Sequence, residues 1–407
     1  MDRSGEEKRP GKFTTGLRAL RGVVMTKFSC LSRLIHRVGK ETRESTSGKN
    51  ERHKTWRLIQ VESAIACNLS CIMCPWKSYR AVASHRGIMK QEVWDAIIPA
   101  LSHVGMVDFT GAGEPLLQPR LVNWISDAKK AGCKVGFLSN GLLLTEERAK
   151  DVIEAGIDWI CFSVDSPYKD EYERIRIGSD FSTVCENISF FVKAKSSSTK
   201  VMMNFVMMEL NFHSMRDFVR LAADLGVDQI NFRQCEHVRG EHGRGFGLFG
   251  KEMTPEIKRR EAELKHVCSV AKKLGIKTQT APFTPLEQCV CGQDPRDSLF
   301  VRYDGAVSIC NSLAYGGLSV FLGQDVQFPE VICGRLPKGD LFDAWSAPLS
   351  WLYRETFAER CREYEKICVE AFVGDARITN DRLSKMIRQR LREAPSGCKV
   401  CNYLYGF

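Results

Sequence analysis

The chain has 407 residues, of which 17 are cysteine and 43% are hydrophobic, with a formal net charge of +10. That length allows two domains, or one of barrel size with an appendage. No apolar run approaches the ~18 residues of a membrane span. Many cysteines without an apolar signal segment point to a reducing cytoplasm rather than a disulfide-bonded secreted fold.

The charge is concentrated at the start. Residues 1–54 hold fourteen Lys and Arg against six Asp and Glu, which leaves the rest near neutral and argues against specific nucleic-acid binding by a basic folded body. Residues 1–55 therefore read as a basic, partly disordered tail. Within it Leu17, Leu20, Val24, Phe28, Leu31, Leu34, Ile35 and Val38 recur at helical spacing among Arg18, Arg21, Lys27, Arg33 and Arg37, predicting a basic amphipathic helix near 17–38. Such a helix packs back on the body or docks on a protein or a membrane surface, so peripheral membrane association stays open.

Residues 56–235 alternate short apolar runs with amphipathic segments, the pattern of βα units around a parallel sheet. Strands are predicted at 58–66, 105–110, 134–139, 158–164, 200–208 and 228–233. Helices are predicted at 90–101, 118–132, 145–155, 169–195 with a break near Gly178, and 213–226. Residues 236–285 read as a loop and a linking helix at 254–274, and residues 286–407 as a cysteine-rich C-terminal domain. In the latter, Leu299 to Cys310 reads as a hairpin turning at Asp304-Gly305.

The sharpest local pattern is Cys67-x3-Cys71-x2-Cys74. Three thiolates hold three irons of a 4Fe-4S cluster and leave the fourth open to an outside ligand, whereas four would saturate it. A zinc site needs a fourth ligand here, and the nearest downstream histidine is His85. With Met73 before the last cysteine, the run resembles the signature of the radical S-adenosylmethionine (SAM) enzymes. The resemblance implies a (β/α)6 partial TIM barrel with a small cysteine-rich α+β domain behind it. It also implies a 4Fe-4S cluster that binds SAM, whose reductive cleavage yields a 5′-deoxyadenosyl radical that abstracts a hydrogen atom, and a reductant such as flavodoxin or ferredoxin.

Further motifs fall at strand ends, where α/β folds place ligands. Thr110-Gly111-Ala112-Gly113-Glu114-Pro115 resembles the family's GGEP motif with Ala112 in place of one glycine. Its small residues admit close backbone approach, and its carbonyls or Glu114 suit the ammonium of SAM. Asn140 in Ser139-Asn140-Gly141 matches a turn near the cofactor. Ser163 and Asp165 suit the ribose hydroxyls, Arg176 the SAM carboxylate, and the backbone of Met73 the adenine edge.

Cys291, Cys310, Cys398 and Cys401 form a second candidate set, with Cys289 competing for the first place. Four thiolates saturate one 4Fe-4S cluster or one structural zinc. With Leu341 to Trp345 read as the following helix, this region resembles the SPASM domain or its shortened twitch form, implying one auxiliary 4Fe-4S cluster; the dense cysteine run of the two-cluster form is missing.

The loop after the sixth strand carries Cys235, Glu236, His237 and Arg239. Cys235 is the candidate catalytic residue, able to return a hydrogen atom in an epimerisation. The function expected from the resemblance is radical SAM chemistry of oxidoreductase type on a peptide or on a small sugar- or alcohol-like molecule, by oxidation, cross-linking or epimerisation. Two other classes stand beside it: an iron-sulfur electron carrier, and a zinc-binding interaction module.

Overall fold

The computed structural model describes residues 54–81, 87–235, 239–240, 242, 244–248, 253–374 and 378–406. The basic tail and its expected helix at 17–38 lie outside the described residues, as do His85, Glu236 and His237.

Twelve strands are formed among the described residues: β1 Trp56–Val61, β2 Val104–Asp108, β3 Lys134–Ser139, β4 Trp159–Ser163, β5 Lys200–Met207, β6 Gln229–Gln234, β7 Lys277–Thr280, β8 Ser298–Val301, β9 Ala306–Ser308, β10 Gly317–Phe321, β11 Gln324–Phe328 and β12 Ile332–Arg335. Ten join one sheet in the order β12-β9-β8-β1-β2-β3-β4-β5-β6-β7, while β10 and β11 pair as a separate hairpin. From β8 through β1 to β7 every ladder is parallel; β9 and β12 then add antiparallel at one edge. The sheet is an open α/β half-barrel, the class expected.

Helices cross between the strands: α1 Lys77–Ala81, α2 Gln91–Ile97, α3 Leu121–Lys130, α4 Glu146–Glu154, α5 Lys169–Ile175, α6 Phe181–Ala194 and α7 Met215–Asp224. They are followed by α8 Pro255–Lys273, α9 Leu341–Ser346, α10 Pro348–Gly374 and α11 Asn380–Arg390. The break between α5 and α6 falls at Gly178, whose φ of +93° is open to glycine. Asp180 then caps α6 by accepting from the Thr183 amide at 2.7 Å. The helices cover one face of the central strands, where side chains recur at every second position: Val135, Phe137, Ile160, Phe162, Val201, Met203, Phe205, Ile230 and Phe232 are all withdrawn from water.

Some boundaries shift for identifiable reasons. The first strand stops at Val61, not 66, because Ser63–Ala66 leave the sheet and bond to the segment at 87–89 (Ile65 N to Gly87 O 2.7 Å, Met89 N to Ser63 O 2.9 Å). The second helix tightens into a 3-10 turn over Ile98–His103, where Pro99 has no amide to donate. Strand β7, polar and largely exposed, has no counterpart among the expected strands. The 299–310 hairpin forms with Gly305 at φ +85°, and its first strand pairs directly with β1.

Candidate functional site

The C-terminal ends of β1 to β4 meet at the Cys67–Cys74 loop. The loop is pinned on one side by the turn after β2, where the Glu114 amide donates to Ala66 O at 2.8 Å, and on the other by the segment after α5, where Ser70 N reaches Ile177 O (2.9 Å) and Ile72 N reaches Ile175 O (3.0 Å). This second pairing carries Arg176 to the cysteines, its Nη1 standing 3.8 Å from Cys71 Sγ.

Gly111 and Gly113 are required by protein packing. A Cβ at Gly113 would lie 2.1 Å from Ala66 O and 2.6 Å from Ala64 O, and one at Gly111 would lie 2.4 Å from Glu62 Cγ. The Glu114 carboxylate, expected to face the SAM ammonium, is engaged within the protein. Its Oε1 accepts from Ser139 Oγ (2.8 Å) and Leu116 N (3.1 Å), and its Oε2 from Asn140 N (2.8 Å). It thus locks the β2 turn, with Pro115 opening a short 3-10 helix, to the β3 turn. Asn140 Nδ2 bonds Asn68 Oδ1 at 2.9 Å and lies 4.0 Å from Cys67 Sγ.

Ser163 closes β4 beside Asn204 of β5. Asp165, expected at the ribose, accepts from Val206 N at 2.8 Å and pairs with Arg176 Nη2 at 2.7 Å. Arg176 therefore meets a carboxylate of its own chain, yet its Nε is buried without an acceptor among the described residues. The Met73 side chain packs with Ile175, Met208 and Cys235 in a small apolar cluster against Cys71 and Ile72, which brings Cys235 beside the cysteine loop.

Two residues outside the expected set complete the centre. Arg80 on α1 donates to Cys74 Sγ at 3.0 Å and to Ala112 O at 2.8 Å. Glu62, fully buried, accepts from Ala112 N (2.9 Å), Tyr303 N (3.2 Å) and the Tyr315 hydroxyl, linking the first turn to the β8–β9 turn. Burial pushes its carboxyl up to about 7. An acidic residue interrupting the run Ile59-Gln60-Val61-Glu62-Ser63-Ala64-Ile65 was the signal available in the sequence. Burial likewise pushes up the thiols of Cys67 and Cys71, the latter to about 11, while Arg80 and Arg176 pull them down. Thiolates here need neighbouring positive charge, which both the guanidiniums and a bound iron would provide.

Cys291, Cys310, Cys398 and Cys401 line one cavity together with Ser312, Phe328 and Phe357. Cys310 follows β9, and Cys398 and Cys401 bracket a single 3-10 turn. Each of Cys310, Cys398 and Cys401 is raised by burial and by its neighbours in the set, Cys401 to about 12. Cys289 faces elsewhere: its thiol shares a hydrogen bond with that of Cys361 and packs with Cys368 against Tyr364, Ile367 and Leu383. Among the described residues no three His, Cys, Asp or Glu side chains close tightly enough around a point to hold one metal ion. Four thiols lining one cavity are the donor set that saturates a 4Fe-4S cluster, and equally that of a structural zinc.

Trp76, which follows Cys74 by two positions, meets Tyr79 and Tyr315 in tilted ring contacts with centroids 5.1–5.8 Å apart, and the Tyr79 hydroxyl donates to Gly316 O.

An open parallel half-barrel with three thiols in the loop after its first strand defines a radical SAM class of protein. Residues 61–222 match the Radical SAM superfamily, so the chain carries a radical SAM domain. It is 23% identical over 300 residues to the tungsten-containing aldehyde ferredoxin oxidoreductase cofactor-modifying protein of Pyrococcus furiosus, covering 72% of this chain and 81% of that one. It is 24% identical over 314 residues to the PqqA peptide cyclase of Gluconobacter oxydans, covering 74% and 80%. The structure of native anSMEcpe with bound AdoMet superposes with a TM-score of 0.54 over 74% of this chain and 83% of that chain at 17% identity, which speaks for the fold alone. Enzymes of this superfamily use a 4Fe-4S cluster and SAM, and SPASM-type relatives carry auxiliary clusters. Among the described residues no helix is long and apolar enough to cross a membrane.

Proposed function

We propose that this chain is a radical SAM enzyme that holds its SAM-binding cluster on Cys67, Cys71 and Cys74 and an auxiliary 4Fe-4S cluster on Cys291, Cys310, Cys398 and Cys401, and that it oxidises or cross-links a peptide or a small alcohol-like molecule. When bound, the first cluster and SAM supply one-electron cleavage of the sulfonium and a radical able to take hydrogen from an unactivated C–H bond. The chain's residues position and shield. The unpaired Nε of Arg176 is a donor for the carboxylate of SAM, Gly111 to Pro115 present backbone beside it, and Met73, Ile175 and Met208 keep water from the Cys71 side.

The observation that carries this reading is the convergence of four strand ends on the Cys67 loop, with a buried guanidinium donor left over beside Cys71. The shared cavity of the four late cysteines supports the redox assignment, because a saturated cluster accepts or passes on an electron without binding substrate. A second reading, epimerisation, is favoured by the packing of Cys235 against Met73, from which its thiol can return a hydrogen atom. Electrons would come from a flavodoxin- or ferredoxin-like partner, and the basic segment 17–38, outside the described residues, is proposed as a docking element.

Anaerobic reconstitution tests the assignment. About eight irons per chain are expected, falling to about four in Cys398→Ala/Cys401→Ala, with SAM consumed only after reduction. Colourless, zinc-loaded protein would favour the interaction module, and iron-loaded protein inert to SAM would favour an electron carrier.

A further inference from the structure

Arg239 lies shortly after β6 and is 1% exposed. Its Nη2 donates to Ser312 O at 2.7 Å, while Nε and Nη1 have no acceptor among the described residues. The guanidinium sits 4.5 Å over the Phe328 ring and 5.7 Å from that of Trp76. Phe328 and Ser312 line the four-thiol cavity, and Trp76 follows Cys74 by two positions, so the charge lies between a wall of that cavity and the ring that follows the first cysteine motif. Burial pulls its guanidinium below the ordinary value, and Tyr79, Cys401, Cys310 and Tyr403 act weakly the other way.

A buried cation without a counter-ion is costly, and aromatic faces offset only part of the lost hydration. Elsewhere in the chain buried arginines meet carboxylates, as Arg176 meets Asp165 and Arg360 meets Glu287. Arg239 instead lies against Phe328 and Ser312, which line a cavity holding four thiols, and thiols become anions once they bind metal.

We infer that Arg239 is a positioning residue supplying the counter-charge for the auxiliary cluster, and that it favours the reduced form of that cluster. The inference rests on the reading of Cys291, Cys310, Cys398 and Cys401 as cluster ligands. A fixed positive charge stabilises the state with one more electron, so it raises the reduction potential, and its removal lowers it.

The test uses full-length protein carrying Cys67→Ala, Cys71→Ala and Cys74→Ala, so that only the auxiliary site holds iron. Dithionite titration followed by electron paramagnetic resonance gives the midpoint potential of the one-electron couple. Arg239→Gln is expected to shift the reduced-to-oxidised ratio about tenfold toward oxidised, equivalent to about 59 mV more negative. Arg239→Lys, which keeps the charge, is expected to stay within about threefold of its parent. Arg239→Met fills the same space between Trp76 and Phe328 without charge, and gives the same shift if the glutamine variant fails to fold. An unchanged potential in the folded Gln or Met variant overturns the inference. A parent protein that binds no iron overturns the four-thiol reading itself, a distinct failure visible before any Arg239 variant is made.

Discussion

The carboxylate of Asp165 and the guanidinium of Arg176 stand 2.7 Å apart, both nearly out of contact with water. The pair joins the end of β4 to the segment on which the cysteine loop is docked, so it fixes where Cys71 sits. Asp165→Ala would leave a buried charge unpaired, and about 3–5 kcal/mol of stability should be lost in denaturant titration. Asp165→Asn, which keeps an acceptor for Val206 N but removes the charge, should lose most of that stability too; a loss close to zero in Asp165→Asn would contradict the ion pair as the cause.

Glu62 makes stability depend on pH. Its folded carboxyl, up at about 7, holds its proton more tightly than the ordinary value of 4.5. Between those values the folded state binds more protons than the unfolded one, so this contribution is fully present below pH 4.5 and is lost as pH rises toward 7. The unfolding free energy of wild type minus that of Glu62→Gln should therefore fall by about 3 kcal/mol from pH 4.5 to 8. A flat difference would show that Glu62 is ionised in the folded chain throughout.

Gly113 is constrained by backbone rather than by a flexible side chain. Gly113→Ala would drive a methyl group into the carbonyls of Ala64 and Ala66, at a cost of about 1–3 kcal/mol. Because those residues lead into Cys67, iron at the first site should fall while iron at the second is retained. The measurement is iron per chain in Gly113→Ala, with and without the Cys398→Ala/Cys401→Ala background.

Cys289 and Cys291 are two positions apart yet face different clusters of side chains. Cys291→Ala should lower reconstituted iron, whereas Cys289→Ala, whose thiol meets Cys361, should leave the iron count and the visible absorption unchanged. The reverse outcome would exchange their roles.

Much of this was legible in the sequence. The core strands β3 to β6 are readable because apolar residues recur at every second position on the face the helices cover, as Val201, Met203 and Phe205 do on β5 and Ile230 and Phe232 on β6. The cysteine loop, the Gly111–Pro115 turn and Asn140 were legible because their chemistry is local. Strand β7, Lys277-Thr-Gln-Thr280, was not, since an exposed edge strand needs no apolar pattern. Arg80, Glu62 and the engagement of Glu114 were not legible either. Their roles are set by partners from distant parts of the chain: Ala112 for Arg80, Tyr303 and Tyr315 for Glu62, and Ser139 and Asn140 for Glu114. The choice between Cys289 and Cys291 likewise depends on where α10 carries Cys361.

The central claim is that the Cys67–Cys74 loop holds a cluster that cleaves SAM. The direct measurement is 5′-deoxyadenosine formed by anaerobically reconstituted protein given SAM and dithionite, beside a Cys71→Ala control. The account predicts product in the wild-type chain and none above the unreduced background in the control. Equal amounts in both, or none in a wild-type chain loaded with iron at both sites, would contradict it.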